Sequence, residues 1–316
     1  MKVVIFGGGS GLSQLMKGMV SFPWKITAVV SVSDDGRSTG ALRKEFSIPA
    51  VGDITKVMMA MSQKSEKVKE LFMYRFKKES SLKGHSIKNL IMTALLEMEG
   101  DFKHAIPILS DLLYINGDLL PVTEDNVDLI GITSEGKEIV GESEITKARS
   151  KIDYLKYDKK VSVNKDVIKK IKEADLIVFS AGSLITSIMP HIIIEEIQQV
   201  IKESKAKKMY ICNIITQPGE TDKFSVKDHV DMLEKYLGKN TIDVVIANNT
   251  KLPKKLRDKA AMEDKEEVKI DRERLKNAGI ELIEDRVFCK TGDTIRHDPL
   301  KTSYLMFAYL MDKFNK

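Results

Sequence analysis

The stretch KVVIFGGGSGLS, residues 2–13, decides the fold of this chain. Its apolar part, Lys2–Phe6, is typical of a buried parallel strand. Glycines follow at once, and apolar residues then recur at helical spacing from Leu12 to Met19, which predicts a helix directly after the glycines. A second run rich in β-branched residues, Ile26–Val32, completes a strand-helix-strand unit of the size that builds parallel sheets.

Strands and helices alternate again in the second half of the chain. We predict strands at Asp175–Ser180, Lys208–Ile215, Ile242–Ala247 and Glu281–Phe288, and helices at Ser187–Glu203, Ser225–Leu237 and 299–314. Such alternation predicts an α/β fold: a Rossmann-like, doubly wound, mostly parallel sheet with helices on both faces.

The middle of the chain is less regular. Residues 33–50 are polar and predict a loop, and a β-hairpin is predicted at 127–141, inside an irregular insertion at about 117–160. Further helices are predicted at Asp53 to about Gln63, 64–78, 86–99 and 101–116. The charged stretch 251–275 predicts a surface excursion. Because there is no internal repeat and no low-complexity linker, we expect one domain over residues 1–316.

Composition excludes several classes of protein. With 316 residues, 42% hydrophobic and 31% charged, the chain is long enough for a sizeable core. The net charge of +5 is mild, and no aromatic residues interleave with the lysines, so we expect no nucleic-acid partner. No run approaches the roughly 20 apolar residues that a membrane span needs. No nucleophile elbow, kinase motif set or His-Glu-x-x-His motif occurs.

Cysteine usage points to the cytoplasm. The chain has two cysteines, Cys212 and Cys289, and neither belongs to a Cys-x-x-Cys pair. We therefore expect no disulfide framework and no metal site, and we expect a reducing compartment, with no leader segment. The oligomeric state, including a homo-oligomer, is left open.

The glycine loop is the first candidate binding site. We predict that backbone N–H groups of Gly8, Gly9, Ser10, Gly11 and Leu12 cradle a phosphate at the N-terminus of the first helix. The dinucleotide pattern would need glycine where Leu12 stands, and a Walker A loop would need a Lys-Ser or Lys-Thr pair. The class of phosphate ligand therefore stays open, as does a tight turn that serves packing alone.

Polar residues follow the second strand. Asp34, Asp35 and Arg37 lie where an acid commonly accepts a ribose hydroxyl, and the arginine offers a phosphate contact. A solvated turn with a helix cap is the alternative. We also predict helix-capping roles for Asp53 and for Asp298.

Two later loops also place small or polar residues directly after a predicted strand. Ser183 and Thr186 follow one strand, and Asn213, Gln217 and Glu220 follow the next. Such loops build the ligand crevice of an open parallel sheet, and the second could contact a base or sugar edge. An ordinary Pro-Gly turn is the alternative for the second loop. Before a predicted helix, Ser86 is a candidate N-cap, and His85 is left open between a cleft-facing and a purely structural role.

Taken together, these segments resemble one family, the gluconeogenesis-factor proteins of bacteria, also called YvcK-like, which are related to the CofD-like 2-phospho-L-lactate transferases. The segments that carry the resemblance are GGGSGLSQLMKG, SVSDDGRSTGALR, VGDITK, GHSIKNLIMTAL, GDFKHAI, SAGSLITSIMPHI, NIITQPGETDKFSVKDHV and a late RHDP. The sequence departs from the usual pattern at Ser10, Ala181 and His191, where threonine, proline and asparagine are usual.

The resemblance implies a function for each branch. In the gluconeogenesis-factor branch it implies a cytoplasmic regulator that binds a UDP-sugar, links carbon flow to cell-wall precursor supply and cell shape, and has a protein partner in that synthesis. No cofactor is then required beyond the bound nucleotide-sugar or dinucleotide. In the transferase branch it implies phospholactyl transfer from a guanosine-linked donor to a deazaflavin, with Mg²⁺ held by Asp34, Asp35 or Asp53. An NAD-binding protein is a third hypothesis, weakened by Leu12.

Overall fold

The computed structural model describes residues 1–292 and 294–314, without the side chains of Arg37 and Phe314. The strands are β1 (Lys2–Gly7), β2 (Lys25–Val30), β3 (Asp118–Pro121), β4 (Leu129–Thr133), β5 (Glu138–Val140), β6 (Ile152–Tyr157), β7 (Leu176–Phe179), β8 (Lys207–Ile211), β9 (Val244–Asn248), β10 (Glu281–Asp285), β11 (Phe288–Thr291) and β12 (Thr294–His297). 

The helices surround these strands. They are α1 (Gly9–Met19), α2 (Arg37–Phe46), α3 (Gly52–Met61), α4 (Glu66–Met73), α5 (Ile87–Glu99), α6 (Phe102–Leu113), α7 (Glu142–Ala148), α8 (Lys165–Lys172), α9 (Met189–Ile192), α10 (Glu195–Glu203), α11 (Val226–Leu237), α12 (Lys254–Ala261), α13 (Arg272–Asn277) and α14 (Pro299–Phe314). A π-helical turn, Leu184–Ile188, precedes α9.

A seven-stranded sheet in the order β10-β9-β8-β7-β1-β2-β3 forms the centre of the molecule, and all its neighbouring strands pair in parallel. The chain builds outward from β1 to β3, then returns to the other side of β1 and builds outward again from β7 to β10. The direction therefore reverses between β1 and β7, and open α/β sheets bind ligands outside the carboxyl ends of strands at such a reversal. This order confirms the predicted Rossmann-like, doubly wound fold.

Two apolar layers cover the sheet. Along β1, Val3 and Ile5 belong to the core on one face, whereas Val4 and Phe6 belong to the core on the other, as the twofold alternation of a strand requires. Helices α1, α3 and α14 cover the first face, and α10 and α11 cover the second. Full burial of each such side chain contributes about 1.5–3 kcal/mol.

The aromatic residue Trp24 closes the first face at the amino-terminal edge of β2. It is buried, its indole N–H donates to the Met19 carbonyl oxygen at 2.7 Å, and its ring packs against Phe22 and Phe307. The ring of Phe307 lies on α14, so this cluster joins the last helix to the first strand-helix unit.

The insertion is an antiparallel sheet. Strand β4 pairs with β5 in the predicted hairpin and with β6 on its other side. The range predicted for the insertion begins with β3, which pairs with β2 in the main sheet, so the separate layer starts at β4. The charged stretch 251–275 contains α12 and the start of α13.

Several predicted elements were wrong in detail. Residues 37–46 form α2 instead of a loop. The helix predicted at Ser187–Glu203 is divided into a π-helical turn, α9 and α10. Pro190 lies in the first turn of α9, where its missing N–H group costs no helical hydrogen bond. The strand predicted to reach Phe288 ends at Asp285, and β11 then pairs antiparallel with β12. Among the residues that the structure describes, no helix has both the length and the apolar character needed to cross a membrane.

Candidate functional site

A cleft of about 780 Å³ lies at the reversal of the sheet, over the carboxyl ends of β1, β7 and β8. The predicted residues that line it are Gly9, Ser10, Gly11, Asp34, Ser183, Thr186, Asn213, Gln217 and Glu220. Three predicted residues are absent from its described lining, namely Gly8, Leu12 and Asp35, and the side chain of Arg37 lies outside the described part of the structure. The structure therefore brings together most, but not all, of the predicted site.

The glycine loop packs tightly against the loop after β7. A Cβ atom on Gly11 would lie 1.7 Å from the Ala181 carbonyl oxygen, so no larger residue fits without moving one loop. Gly8 is the N-cap of α1 in extended conformation and provides no side-chain cap. Leu12 is fully buried in the core, and its N–H donates to the Gly8 carbonyl, so it offers the cleft neither side chain nor free donor.

A lysine and a carboxylate lie beside the start of α1. The Nζ atom of Lys56 donates to Ser10 Oγ at 2.8 Å. Asp53 accepts a hydrogen bond from the Gly9 backbone, which makes the prediction of an N-cap role wrong: α3 begins at Gly52, and its N-cap is Val51. Burial, reinforced by the charge of Asp34, raises the pKa of the Asp53 carboxyl from 3.8 to about 6.

The two aspartates after β2 point in different directions. Asp34 lines the cleft and accepts the N–H of Gly36 at 2.9 Å. Asp35 instead accepts the N–H of Ser143, in the first turn of α7, at 2.9 Å. Contact of Asp35 with a ligand in the cleft, as the sequence predicted, is therefore not supported, because its carboxylate holds the insertion. Arg37 begins α2, and its side chain lies outside the described part of the structure.

Glu142, the first residue of α7, is a cleft residue that the sequence did not reveal. The residue as a whole is half-buried, whereas its Oε2 atom is buried and has no hydrogen-bond partner in the described structure. Burial raises the pKa of this carboxyl well above its usual range, and Asp53 and Asp34 raise it further. No local pattern could have identified Glu142, because it enters the cleft only through the packing of the insertion.

The loop after β7 is internally bonded. Ser183 Oγ accepts the N–H of Thr186 at 2.8 Å and donates to Glu220 Oε2 at 2.5 Å. The Ile185 N–H also donates to that carboxylate oxygen, at 3.4 Å. Burial raises the pKa of Glu220 despite these bonds. Ser183 and Glu220 therefore satisfy each other, and their main effect is to fix the shape of the cleft wall.

Asn213 connects the loops after β7 and β8. Its Oδ1 accepts the Gly182 N–H at 3.2 Å, and its Nδ2 donates to the Gly182 carbonyl at 2.8 Å. The same Nδ2 donates to Gln217 Oε1 at 3.1 Å. The apolar residues Ile214, Ile215 and Pro218 lie beside these amides in the cleft wall.

Several supporting residues lie behind or around the cleft. The Nε2 atom of His191 lies 3.1 Å from the Gly7 carbonyl oxygen, and burial lowers the pKa of this histidine to about 4, so it supports the glycine loop as a neutral ring. Lys88 is buried behind α3 and donates to Thr55 and Asn89, each at 2.7 Å. Burial lowers the pKa of Lys88 to about 7.

Other residues lie at helix N-termini or at the rim of the cleft. Asp298 caps the start of α14, because its carboxylate accepts the Lys301 N–H at 2.9 Å. Ser86 occupies the N-cap position of α5, but its hydroxyl makes no capping bond, and His85 contacts Ser38 at 3.1 Å outside the cleft lining. The rim also contains residues that the sequence did not single out: Gln14, Thr146, Arg149, Lys265 and Ile295.

Among the residues that the structure describes, the cleft carboxylates do not by themselves form a metal site. The described residues contain no group of three or more His, Cys, Asp or Glu side chains arranged to hold a metal ion. Asp34 and Asp53 are close enough for one to raise the pKa of the other. A cation would therefore need further oxygen ligands from a bound molecule.

Comparison with known proteins places the chain in a family. The model of the family described as 2-phospho-L-lactate transferase CofD matches residues 3–288. The gluconeogenesis factor of Bacillus subtilis is 39% identical over 312 residues, 98% of each chain. The putative gluconeogenesis factor of Thermotoga maritima is 42% identical over 278 residues, 88% of each chain. The crystal structure of protein BH3568 from Bacillus halodurans has a TM-score of 0.93 at 36% identity and covers 97% of this chain and 99% of that chain. The chain therefore belongs to the CofD family, together with the relatives that are named gluconeogenesis factors.

Proposed function

We propose that the cleft binds a nucleotide-sugar, with UDP-sugars as the expected class, and that the protein is a ligand-binding regulator. The observation that carries this proposal is the chemical division of the cleft. The N-terminus of α1 lies between an amide wall, formed by the loop after β8 with Asn213, Gln217 and their apolar neighbours, and a carboxylate wall at the end of β2, where Asp34 lies.

The centre of the cleft suits a diphosphate. Gly9, Ser10 and Gly11 present the first turn of α1, where backbone N–H groups and the helix dipole favour an anion. Lys56 adds a positive charge at Ser10. The negative charge of Asp53 lies beneath the same loop, and its raised pKa lets it take up a proton when an anion binds above it.

The amide wall suits a base. Asn213 uses both Nδ2 hydrogens on Gly182 and Gln217, so Gln217 Nε2 and the second lone pairs of the two amide oxygens are the groups that a base can contact at this end of the cleft. Ile214, Ile215 and Pro218 supply apolar surface beside them, on which a planar ring can lie. A uracil ring has both polar edges and two apolar faces, so this wall matches its chemistry.

The carboxylate wall suits hydroxyl groups. Asp34 lines the cleft at the end of β2, on the opposite side of β1 from the amide wall. Carboxylate oxygens accept hydrogen bonds from sugar hydroxyls without needing a fixed rotamer of the hydroxyl hydrogen. The sugar of a nucleotide-sugar would therefore lie toward Asp34.

The names of the relatives support a role in carbon metabolism. We propose that ligand occupancy couples gluconeogenic carbon supply to cell-wall precursor synthesis and cell shape, through a protein partner in the cytoplasm. A deletion strain should grow poorly on gluconeogenic carbon sources and should recover when the wild-type gene is restored. A complementing gene with Lys56→Gln should fail to restore growth, and normal growth of the deletion strain would refute this cellular role.

Binding can be tested by calorimetry and thermal shift with UDP-N-acetylglucosamine, UDP-glucose, UDP, NAD and GDP, each with and without Mg²⁺. A ligand at 100 times its dissociation constant adds about 2.7 kcal/mol of stability, which a thermal shift detects. Stabilisation by a UDP-sugar without Mg²⁺ is the expected result. The absence of heat and of stabilisation with every UDP compound would overturn the proposal, and stabilisation by NAD alone would favour a dinucleotide ligand.

A CofD-like transferase is the second candidate, and the match to the family model favours it. Asp34 and Asp53 would then hold Mg²⁺ together with phosphate oxygens of a guanosine-linked donor, and the cation would neutralise charge on those oxygens. Stabilisation by GDP only when Mg²⁺ is present, with product formation from the phospholactyl donor and a deazaflavin, would support this candidate over the regulator.

A further inference from the structure

The carboxyl group of Glu142 has an unusual environment. Its Oε2 atom is buried in the cleft wall and has no hydrogen-bond partner in the described structure. A buried polar atom that lacks a partner destabilises a protein, and native proteins contain few such atoms. Such an atom at the wall of a binding cleft is available to a polar group of a bound molecule.

The surroundings of Glu142 limit what this partner can be. Asp34, Asp35, Asp53 and Glu220 approach it from three other segments of the chain and disfavour its ionised form. The described residues form no group of three or more ligands that could hold a metal ion. A hydroxyl group fits best, because it both donates and accepts and so pairs with a carboxyl group in either protonation state.

We propose that Glu142 is a specificity-determining residue that hydrogen-bonds a hydroxyl group on the sugar part of the ligand. This inference rests on the proposed nucleotide-sugar function and deepens it by naming the residue that selects the sugar. Glu142 lines the cleft together with Asp34, the residue toward which the proposed sugar lies, and Asp34 is one of the carboxylates that act on it. The nucleoside diphosphate alone would therefore leave Oε2 unpaired, whereas the complete nucleotide-sugar would pair it.

A site of this kind can discriminate strongly between sugars. A ligand that lacks the matching hydroxyl leaves the buried oxygen unpaired, and sites that hydrogen-bond a hydroxyl discriminate sharply against analogues without it.

The backbone around Glu142 also holds this residue in place. It follows Gly141 (φ +96°), and the next residue, Ser143, donates its N–H to Asp35.

The experiment compares the affinities of UDP-N-acetylglucosamine, UDP-glucose and UDP for the wild type and three variants by calorimetry. Glu142→Ala should weaken binding of the UDP-sugars at least tenfold and change UDP affinity less than about threefold. Glu142→Gln, which keeps a donor and an acceptor, should stay within about threefold of the wild type for all three ligands. Glu144→Ala is the matched control, because Glu144 lies on the same helix, has 60% of its side chain exposed and pairs with Lys147.

The possible results distinguish failure of the Glu142 role from failure of the proposed function. Equal affinities of the wild type and Glu142→Ala for the UDP-sugars would overturn the role of Glu142 and leave the proposed function intact. An equal loss for UDP and the UDP-sugars would also overturn it, because Glu142 would then not read the sugar. If the wild type binds no UDP compound, the proposed function fails and the inference fails with it. Should Glu142→Ala unfold, Glu142→Asp replaces it, since the shorter carboxyl cannot reach the same hydroxyl and should weaken UDP-sugar binding alone.

Discussion

Asp35 and Ser143 are 108 positions apart in the sequence, and a 2.9 Å hydrogen bond from the Ser143 N–H to Asp35 Oδ1 joins them. This bond attaches the inserted sheet to the loop after β2 at the start of α7. Gly141 lies against the same carboxylate, since a Cβ atom there would be 2.4 Å from Asp35 Oδ2. The insertion is thereby fixed beside the cleft, and Glu142 is fixed with it.

Removing this attachment should lower the stability of the protein and loosen α7. Asp35→Ala leaves an N-terminal N–H of α7 without its acceptor, and loss of such a cap costs about 0.5–2 kcal/mol. We expect a lower free energy of unfolding in urea by about 1 kcal/mol and faster hydrogen exchange confined to α7. Asp166→Ala, at an exposed position in the first turn of α8, is the control. Unchanged exchange in α7 would contradict the attachment.

The positive charge of Lys56 beside the start of α1 gives a second prediction. Lys56→Gln removes the cation that contacts Ser10, so affinity for UDP should fall about tenfold at low salt. The difference from the wild type should shrink as ionic strength rises, because salt screens a partly solvated charge. Lys67→Gln, whose side chain is 91% exposed, should bind UDP as the wild type does. A salt-independent difference would point to lost packing instead of lost charge.

The close approach of the glycine loop to the loop after β7 gives a third prediction. Gly11→Ala places a methyl group 1.7 Å from the Ala181 carbonyl oxygen, so α1 and the loop after β7 must separate. We expect a loss of about 3 kcal/mol or more in the free energy of unfolding, with loss of nucleotide binding. Gly136→Ala has open space and only its positive φ of 81° to strain, and should cost about 1–2 kcal/mol. Equal costs for the two variants would contradict the close approach of the loops.

The raised pKa of Asp53 gives a pH-dependent prediction. The unfolded chain releases this proton near pH 3.8 and the folded chain near pH 6, so folded Asp53 carries a penalty above pH 6 that is absent below pH 4. The stability that depends on Asp53 therefore falls as pH rises through this window. Asp53→Asn removes the penalty and should raise the free energy of unfolding by on the order of 2 kcal/mol at pH 7.5 relative to pH 4.

Chemical denaturation of the wild type and Asp53→Asn across pH 4 to 8 measures this difference. Asp153→Asn, an exposed aspartate on β6, is the control for a general effect of the substitution. A stability difference between Asp53→Asn and the wild type that stays constant across the range would show that burial does not perturb this carboxyl.

The parts of the fold that the sequence predicted are those set by local pattern. The run from Lys2 to Met19 encodes its strand, loop and helix in consecutive residues, so β1 and α1 were found within a few positions. The division of Ser187–Glu203 was missed because apolar periodicity continues through Pro190. The loop at 33–50 was misjudged because α2 has a largely polar surface.

The candidate site was predictable where it depends on strand ends. Gly9, Ser10, Gly11, Ser183 and Asn213 follow strands that meet at one edge of the sheet, so their meeting in one cleft follows from the topology. The different placements of Asp34 and Asp35 were not predictable, because sequence position cannot say which of two adjacent carboxylates turns toward the cleft. Glu142 could not be found, because its approach depends on a long-range contact through the insertion.

The position of Trp24 has a practical consequence. It is the only tryptophan in the chain, and it is packed at the amino-terminal edge of the sheet, whereas the cleft lies at the carboxyl-terminal edge. The tryptophan emission of this protein therefore reports the docking of α14 on the first strand-helix unit, at a distance from a nucleotide in the cleft. Unfolding can be followed optically in saturating ligand with a single native reporter, and no label has to be added near the site.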